Sequence, residues 1–183
     1  MEYALTQPEG VASMIVASSP SSMRQWVSEA NRLRRDLPPE VQETLTRHEE
    51  NGTTDDPEYE AACMVFYKLH LCRFDEWPPE LAESFGWIAK DPTVYYTMNG
   101  PSEFHVIGSI KDWQSKDRLG EISVPTLLTS GRYDEATPAL QEPLRDGIPN
   151  CEWVLFEESS HTPFVEERER YMQVVGDWLR RND

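Results

Sequence analysis

The stretch Ile122–Pro138, ISVPTLLTSGRYDEATP, gives the clearest indication of the fold of this chain. It opens with an apolar, β-branched run over Ile122–Ser130 and ends in a turn that contains Gly131 and Asp134. A short apolar run bounded by turn residues is typical of a strand that is buried on both faces. Such strands belong to parallel sheets, in which a helix connects one strand to the next.

The same strand pattern recurs on both sides of this stretch. Val11–Ser18 (VASMIVAS) and Glu152–Phe156 (EWVLF) predict two more strands. Thr137–Ile148 predicts the helix between the second and third strands, and Glu166–Arg181 has the apolar spacing of an amphipathic helix. Strands that alternate with helices predict an α/β fold with a parallel sheet.

Residues 21–112 change character, because their apolar residues recur at helical spacing and no strand pattern interrupts them. Proline pairs at Pro38-Pro39 and Pro78-Pro79, and the Asn51-Gly52 turn, separate the helical runs. We expect helices over about residues 22–37, 40–49, 57–74 and 78–88. The pattern predicts a helical cap at 21–112, inserted into a core made of residues 1–20 and 113–183.

Composition excludes several classes of function. The chain has 17 Lys and Arg against 33 Asp and Glu, a net charge of −16, whereas nucleic-acid binding requires clustered basic residues. No run is apolar and long enough for a membrane span, and the first twenty residues lack a signal-peptide pattern. The histidines and the three cysteines lack metal-ligand spacing, so we expect no metal site; the cysteines are Cys63, Cys72 and Cys151. Their odd number and irregular spacing suggest no disulfide framework, so we expect a cytoplasmic protein. We also expect no cofactor.

Asp134 and His161 each follow a predicted strand, at the sheet edge where parallel α/β proteins bind ligands. Either residue alone could be an ordinary turn or surface residue. At consecutive strand ends they predict an acid–base pair, in which the carboxylate orients the imidazole and the free ring nitrogen activates a nucleophile. The order of acid and then histidine matches the last two members of the Ser-Asp-His series of α/β hydrolases.

Three segments carry a more specific resemblance. They are YYTMNGPSEFHVIGSIKDW (Tyr95–Trp113), VPTLLTSGRYDEATP (Val124–Pro138) and FEESSHTPFVEERERY (Phe156–Tyr171). The set resembles the proline iminopeptidases, and among them the tricorn-interacting aminopeptidase branch. The resemblance covers essentially the whole chain and implies the carboxyl-terminal part of an α/β-hydrolase fold with an inserted helical cap.

The resemblance also implies an activity and a set of site residues. It implies a serine aminopeptidase that releases an N-terminal residue, often proline, from a peptide or aminoacyl substrate. Asp134 and His161 would be catalytic, and Glu103 and Glu135 would hold the α-ammonium group of the substrate, a cation that suits two carboxylates. Five aromatic residues predict either cap core or an apolar pocket for a prolyl ring: Trp77, Phe85, Trp87, Tyr95 and Tyr96.

One departure from the family pattern is serious, because the chain contains no GxSxG motif. Met1–Leu5 resembles the helix that follows this motif, so we expect the nucleophile upstream of Met1 and an inactive isolated chain. Two alternatives stay open. One is another α/β hydrolase, such as an esterase, amidase or epoxide hydrolase, and the other is a non-catalytic fragment that folds with a partner chain supplying the missing half.

Overall fold

A computed structural model describes residues 1–182, and a parallel three-stranded sheet lies at its centre. The strands are β1 (Met14–Ala17), β2 (Thr126–Gly131) and β3 (Cys151–Phe156), in the spatial order β1-β2-β3. All six residues of β2 are buried, as expected for the central strand of a parallel sheet. The α/β class and the parallel sheet are therefore confirmed.

The strand boundaries differ from the predicted ones by a few residues. β2 begins at Thr126 because Pro125 has no N–H for the ladder, although the carbonyl oxygen of Pro125 accepts a hydrogen bond from Met14 N at 2.9 Å. β1 accordingly begins at Met14 and is shorter than the predicted Val11–Ser18 strand. The register pairs Ala17 with Thr129, so the carboxyl ends of β1 and β2 lie side by side.

Five α-helices and one 3₁₀ helix lie between β1 and β2 along the chain. The α-helices are α2 (Met23–Arg34), α3 (Pro39–Asn51), α4 (Pro57–His70), α5 (Pro79–Lys90) and α6 (Thr93–Met98). Capping residues explain where several begin: Ser22 caps α2, Asp56 caps α4, and proline occupies the first turn of α3, α4 and α5. A shared core joins α2, α3 and α4 and includes Leu33, Leu45 and Phe66. The division into residues 1–20, 21–112 and 113–183 stays a prediction.

Two predicted helices differ from the observed ones: one ends earlier than expected, and the other is divided into two helices. The helix predicted over residues 57–74 ends at His70, and the helix predicted over Glu166–Arg181 is divided into α8 (Pro163–Glu166) and α9 (Arg168–Asn182). Glu167, at φ −122° and ψ 48°, separates α8 from α9, and its side chain accepts hydrogen bonds from the loop after β3. Both deviations occur where the chain contacts the strand ends.

The remaining elements cover one face of the sheet. They are α1 (Glu2–Leu5), a 3₁₀ helix (Lys116–Glu121) and α7 (Pro138–Gly147). Leu119 and Leu144 from these helices pack with Val16 and Leu128 from the strands, and all four side chains are buried. Among residues 1–182, no helix combines the length and the apolar character that crossing a membrane requires.

Candidate active site

Asp134 and His161 lie together at the carboxyl ends of β2 and β3. The Asp134 side chain is fully buried, and its Oδ1 accepts a hydrogen bond from His161 Nδ1 at 2.9 Å. Adjacent parallel strands end at the same sheet edge, which brings together two residues that are 27 positions apart. Within residues 1–182, Nε2 of His161 makes no hydrogen bond, and the ring borders an open cavity. This geometry suits an imidazole whose Nδ1 is held and whose Nε2 is free to exchange a proton.

Three further donors hold the Asp134 carboxylate. Ala136 N donates to Oδ1 at 2.7 Å, Gly131 N donates to Oδ2 at 3.3 Å, and Ser18 Oγ donates to Oδ2 at 2.7 Å. With His161, each carboxylate oxygen therefore accepts two hydrogen bonds. Several donors around one buried carboxylate fix its rotation.

The loop before His161 packs directly against the end of β2. A Cβ atom on Gly131 would lie 2.1 Å from Ser160 O and 2.3 Å from Ser159 O, so a side chain at this position would push the loop away. Glu166 accepts hydrogen bonds from Ser160 N at 2.8 Å and from the hydroxyl of Ser160 at 2.9 Å. Glu167 accepts one from Ser159 Oγ at 2.7 Å. These contacts hold the backbone of the loop that carries His161 in place.

The carboxyl end of α4 joins the same site through its backbone. The carbonyl oxygen of His70 accepts hydrogen bonds from Glu135 N at 3.2 Å and His161 N at 3.3 Å. The carbonyl oxygen of Leu71 accepts one from Thr162 Oγ1 at 3.0 Å. The last carbonyls of a helix have no partner within the helix, and here the loops after β2 and β3 supply partners. The end of α4 thus holds both loops in place.

Glu135 and Glu103 are two further carboxylates at this site: Glu135 lies beside His161, and Glu103 lines a cavity with it. Glu135 is 1% exposed, its Oε1 lies 3.8 Å from His161 Nδ1, and its Oε2 has no hydrogen-bond partner within the described residues. Glu103 Oε1 accepts a hydrogen bond from Tyr95 Oη at 2.5 Å. The Glu103 backbone oxygen accepts another from Trp26 Nε1 at 2.7 Å. A buried carboxylate oxygen without a partner is unusual and indicates a place for a donor.

Burial and neighbouring charges shift the pKa values of Glu135, Glu103 and His161. Burial, and then the charge of Glu103, raise the pKa of Glu135 well above its ordinary value, and burial likewise raises the pKa of Glu103. Burial alone would lower the pKa of His161, although 29% of its side chain is exposed. The charges of Asp134, Glu135 and Glu103 outweigh burial and raise the pKa of His161 to about 10. Because a nearby positive charge lowers the pKa of a carboxyl group, the raised pKa values of Glu103 and Glu135 mean that an additional cation would be favoured at this site.

A cavity of about 520 Å³ opens beside the pair. Glu103 and His161 line it together with apolar side chains that include Met23, Trp26 and Met98. A second cavity of about 450 Å³ lies between α4, α5 and α6, and its lining includes four of the five aromatic residues named above: Trp77, Phe85, Tyr95 and Tyr96. Trp87 does not line it and is 59% exposed.

One group of potential metal ligands occurs away from this site: His48, Asp56 and Glu58. Each already has a structural partner. His48 Nδ1 is within 2.8 Å of Thr53 Oγ1, Asp56 caps α4 through Glu58 N, and Glu58 pairs with Arg47. These contacts account for the cluster without a metal ion. The expected absence of a metal site stays a prediction.

Several residues that shape the site were not found by sequence analysis. Ser18, Glu166 and Glu167 act through contacts between distant parts of the chain, and His70 acts through its backbone carbonyl. The tight turn at Gly131 did leave a signal, since a glycine at the end of a buried strand often marks a close approach of another backbone.

The parallel sheet, the acid after β2 and the histidine after β3 define the carboxyl-terminal part of an α/β hydrolase. No family model matches the chain. A proline iminopeptidase of Heyndrickxia coagulans is 40% identical over an alignment of 183 positions, which covers 97% of this chain and 61% of that protein. The chain is thus a homologue of proline iminopeptidases, as the sequence resemblance indicated; the tricorn-interacting branch stays a prediction.

Two crystal structures superpose closely on the chain. The structure of VinJ superposes with a TM-score of 0.96 at 47% identity, covering 100% of this chain and 62% of VinJ. The proline iminopeptidase of Mycobacterium smegmatis superposes with a TM-score of 0.87 at 41% identity, covering 99% of this chain and 60% of that protein. The chain spans about three fifths of the length of these relatives.

Proposed function

We propose that the chain supplies the acid, the base and the amine-binding carboxylates of a serine aminopeptidase of the proline iminopeptidase type. Such an enzyme releases an N-terminal residue, often proline, from a peptide or aminoacyl substrate. The homology to proteins of that name supports the reaction class. The observation that carries the proposal is the buried Glu135, whose Oε2 lacks a hydrogen-bond partner within residues 1–182 beside Glu103 and His161.

In this proposal, Asp134 and His161 perform the proton transfer. Asp134 keeps Nδ1 of His161 protonated, so that Nε2 takes the proton of a serine hydroxyl and later returns it to the leaving group. The serine belongs to a GxSxG turn, which the 183 residues do not contain. We expect this turn on a segment that completes the hydrolase, either in the same chain or in a companion chain. β1 is the edge strand of the described sheet and would pair with that segment.

Glu103 and Glu135 would bind the α-ammonium group of the substrate. The protonated ring amine of an N-terminal proline has two N–H donors, one fewer than a primary ammonium. Oε2 of Glu135, which has no partner within residues 1–182, and the partly occupied carboxylate of Glu103 provide acceptors for them. The bound cation would also reduce the negative charge near His161. The pKa of the base would then fall toward neutrality, which is where a general base works best. The proposal therefore links amine recognition to activation of the base.

The test compares substrates with and without the amine charge, in the enzyme that includes the nucleophile turn. Glu103→Gln should lower kcat/KM for proline p-nitroanilide about 10- to 150-fold, the effect of one hydrogen bond to a charged group. An N-acetylated aminoacyl ester should be nearly unaffected, and Glu43→Gln, an exposed acid on α3, serves as the control. An equal loss on both substrates would point to damaged packing and contradict the proposal.

The chain alone should not turn over proline p-nitroanilide, because a base without its nucleophile and oxyanion donors retains little rate enhancement. Turnover by the purified 183-residue chain that His161→Ala abolishes would contradict this part of the proposal.

The three cysteines are free, which suits the reducing cytoplasm in which we propose that the enzyme acts.

A further inference from the structure

Ser18 has an unusual backbone conformation. It follows β1, is 6% exposed, and has a φ of +45°, in the left-handed region that side chains rarely adopt and glycine adopts readily. Its backbone N–H donates to Thr129 O at 2.8 Å, so the residue is held against the neighbouring strand. Strained conformations of this kind cluster at functional sites, where the surrounding structure maintains them.

The conformation points the Ser18 hydroxyl at the catalytic acid. Ser18 Oγ donates to Asp134 Oδ2 at 2.7 Å, and His161 O lies at a longer 3.4 Å from the same hydroxyl. Within residues 1–182, the one other donor to Oδ2 is Gly131 N at 3.3 Å. Oδ1, the other oxygen, accepts from Ala136 N and His161 Nδ1. Ser18 therefore makes the short hydrogen bond on the side of the carboxylate that faces away from the imidazole.

We propose that Ser18 is a positioning residue for the acid–base pair, acting through the hydrogen bond from its hydroxyl to Asp134 Oδ2. A hydroxyl at the end of β1 thereby fixes the rotation of a carboxylate after β2, which in turn orients an imidazole after β3. Glycine at position 18 would relieve the backbone but would leave Oδ2 with one long hydrogen bond. The significance of this residue for catalysis rests on the proposed function, but its contact with Asp134 does not.

A purely structural role for Ser18 predicts a different outcome. If the residue only ends β1, removing its hydroxyl changes stability and leaves the environment of His161 as it is. If it positions Asp134, removing the hydroxyl loosens the acceptor of the His161 Nδ1 proton, and that proton exchanges faster with water. The exchange rate of this proton, measured by NMR on the 183-residue chain, separates the two roles.

The experiment uses two variants and one control. Ser18→Ala removes the hydroxyl, and Ser18→Gly removes it in a residue that adopts a positive φ without strain, so that at least one variant folds. Ser21→Ala is the control, because Ser21 is also buried and its hydroxyl has no partner within residues 1–182. We expect exchange of the Nδ1 proton to accelerate about tenfold in both Ser18 variants and to stay unchanged in the control.

Two results would overturn the proposal. One is an exchange rate in both Ser18 variants within about twofold of the Ser21→Ala rate, which is less than the loss of one hydrogen bond to a charged group produces. The other is slow exchange restored in Ser18→Gly alone, which would assign the effect to backbone strain. Neither result depends on amine binding, so a failure of the aminopeptidase proposal would leave this measurement interpretable.

Discussion

Replacing Asp134 with asparagine should lower the pKa of His161, because it removes the carboxylate that raises this pKa most. The substitution keeps the size of the side chain but removes the carboxylate 2.9 Å from His161 Nδ1. In the parent chain, burial opposes and the surrounding carboxylates favour the imidazolium, with a net rise of the pKa of His161 from 6.5 to about 10. In Asp134→Asn we expect His161 to titrate much closer to 6.5, because burial then opposes a smaller negative charge.

The size of the effect on stability follows from the same pKa. A rise of the pKa from 6.5 to about 10 means that the folded state stabilises the protonated form of His161, relative to the neutral form, by about 5 kcal/mol more than the unfolded state does. Glu135 and Glu103 contribute part of this, and the 29% exposure of the His161 side chain admits solvent screening. We therefore expect Asp134→Asn to lower the free energy of unfolding by about 3 kcal/mol near pH 6.5.

The dependence on pH has a definite sign. Because folding raises the pKa of His161, its stabilising contribution is complete below 6.5 and is lost as the pH rises through about 10. The difference between the parent chain and Asp134→Asn should therefore be largest near pH 6.5 and shrink toward pH 10. Urea denaturation across this range, with NMR titration of the His161 ring, measures both quantities.

Asp112→Asn is the matched control, since Asp112 pairs with Arg24 at the surface and its side chain is 62% exposed. An exposed pair contributes little, so this control should stay within about 1 kcal/mol of the parent at every pH. A His161 titration that is the same in Asp134→Asn and in the parent chain would refute the reasoning. A stability difference that does not change between pH 6.5 and about 10 would refute it as well.

Two further substitutions test the packing and charge of the site. In Glu135→Gln, the free energy of unfolding should exceed that of the parent by a margin that grows as the pH rises above 4.5, because burial raises the pKa of Glu135 and its ionisation disfavours the folded state. We expect the margin to reach about 1–3 kcal/mol, and parallel pH profiles in urea denaturation would contradict this. Gly131→Ala should cost about 3 kcal/mol, because its Cβ would meet Ser160 O at 2.1 Å. Gly86→Ala is its control, since the new Cβ meets nothing within 4 Å inside α5, and it should stabilise the chain by about 0.5–1 kcal/mol; similar melting temperatures for the two glycine variants would contradict the account of Gly131.

The sheet and the acid–base pair were predictable because both follow from local patterns. A buried run such as Thr126–Gly131 identifies itself by its composition, and the parallel topology then places the turns after β2 and β3 at one edge. Asp134 and His161 meet there without any further information. The amine-binding role of Glu103 and Glu135 came from family resemblance alone, and that role remains a proposal.

The supporting contacts could not be predicted, because a sequence pattern reports burial and not the identity of distant partners. Ser18 and Asp134 are 116 positions apart, and Ser18 lies in a serine-rich turn that resembles an ordinary loop. The amphipathic pattern around Glu167 predicts an uninterrupted helix. In the structure the helix is interrupted at Glu167, whose side chain accepts hydrogen bonds from the loop after β3. The short helix α6 was missed because six residues are too few to establish a helical period.

The central claim is that Glu103 and Glu135 form an amine site coupled to His161, and one titration tests it most directly. The pKa of His161 is measured by NMR on the 183-residue chain, without ligand, with saturating L-prolinamide, and with N-acetyl-L-prolinamide, which lacks the positive charge. We predict that L-prolinamide lowers the pKa of His161 from about 10 to about 8 or below, the range in which its own amine keeps its proton, and that the acetylated compound leaves the pKa unchanged. Equal titrations under all three conditions, with L-prolinamide shown to be bound, would contradict the account.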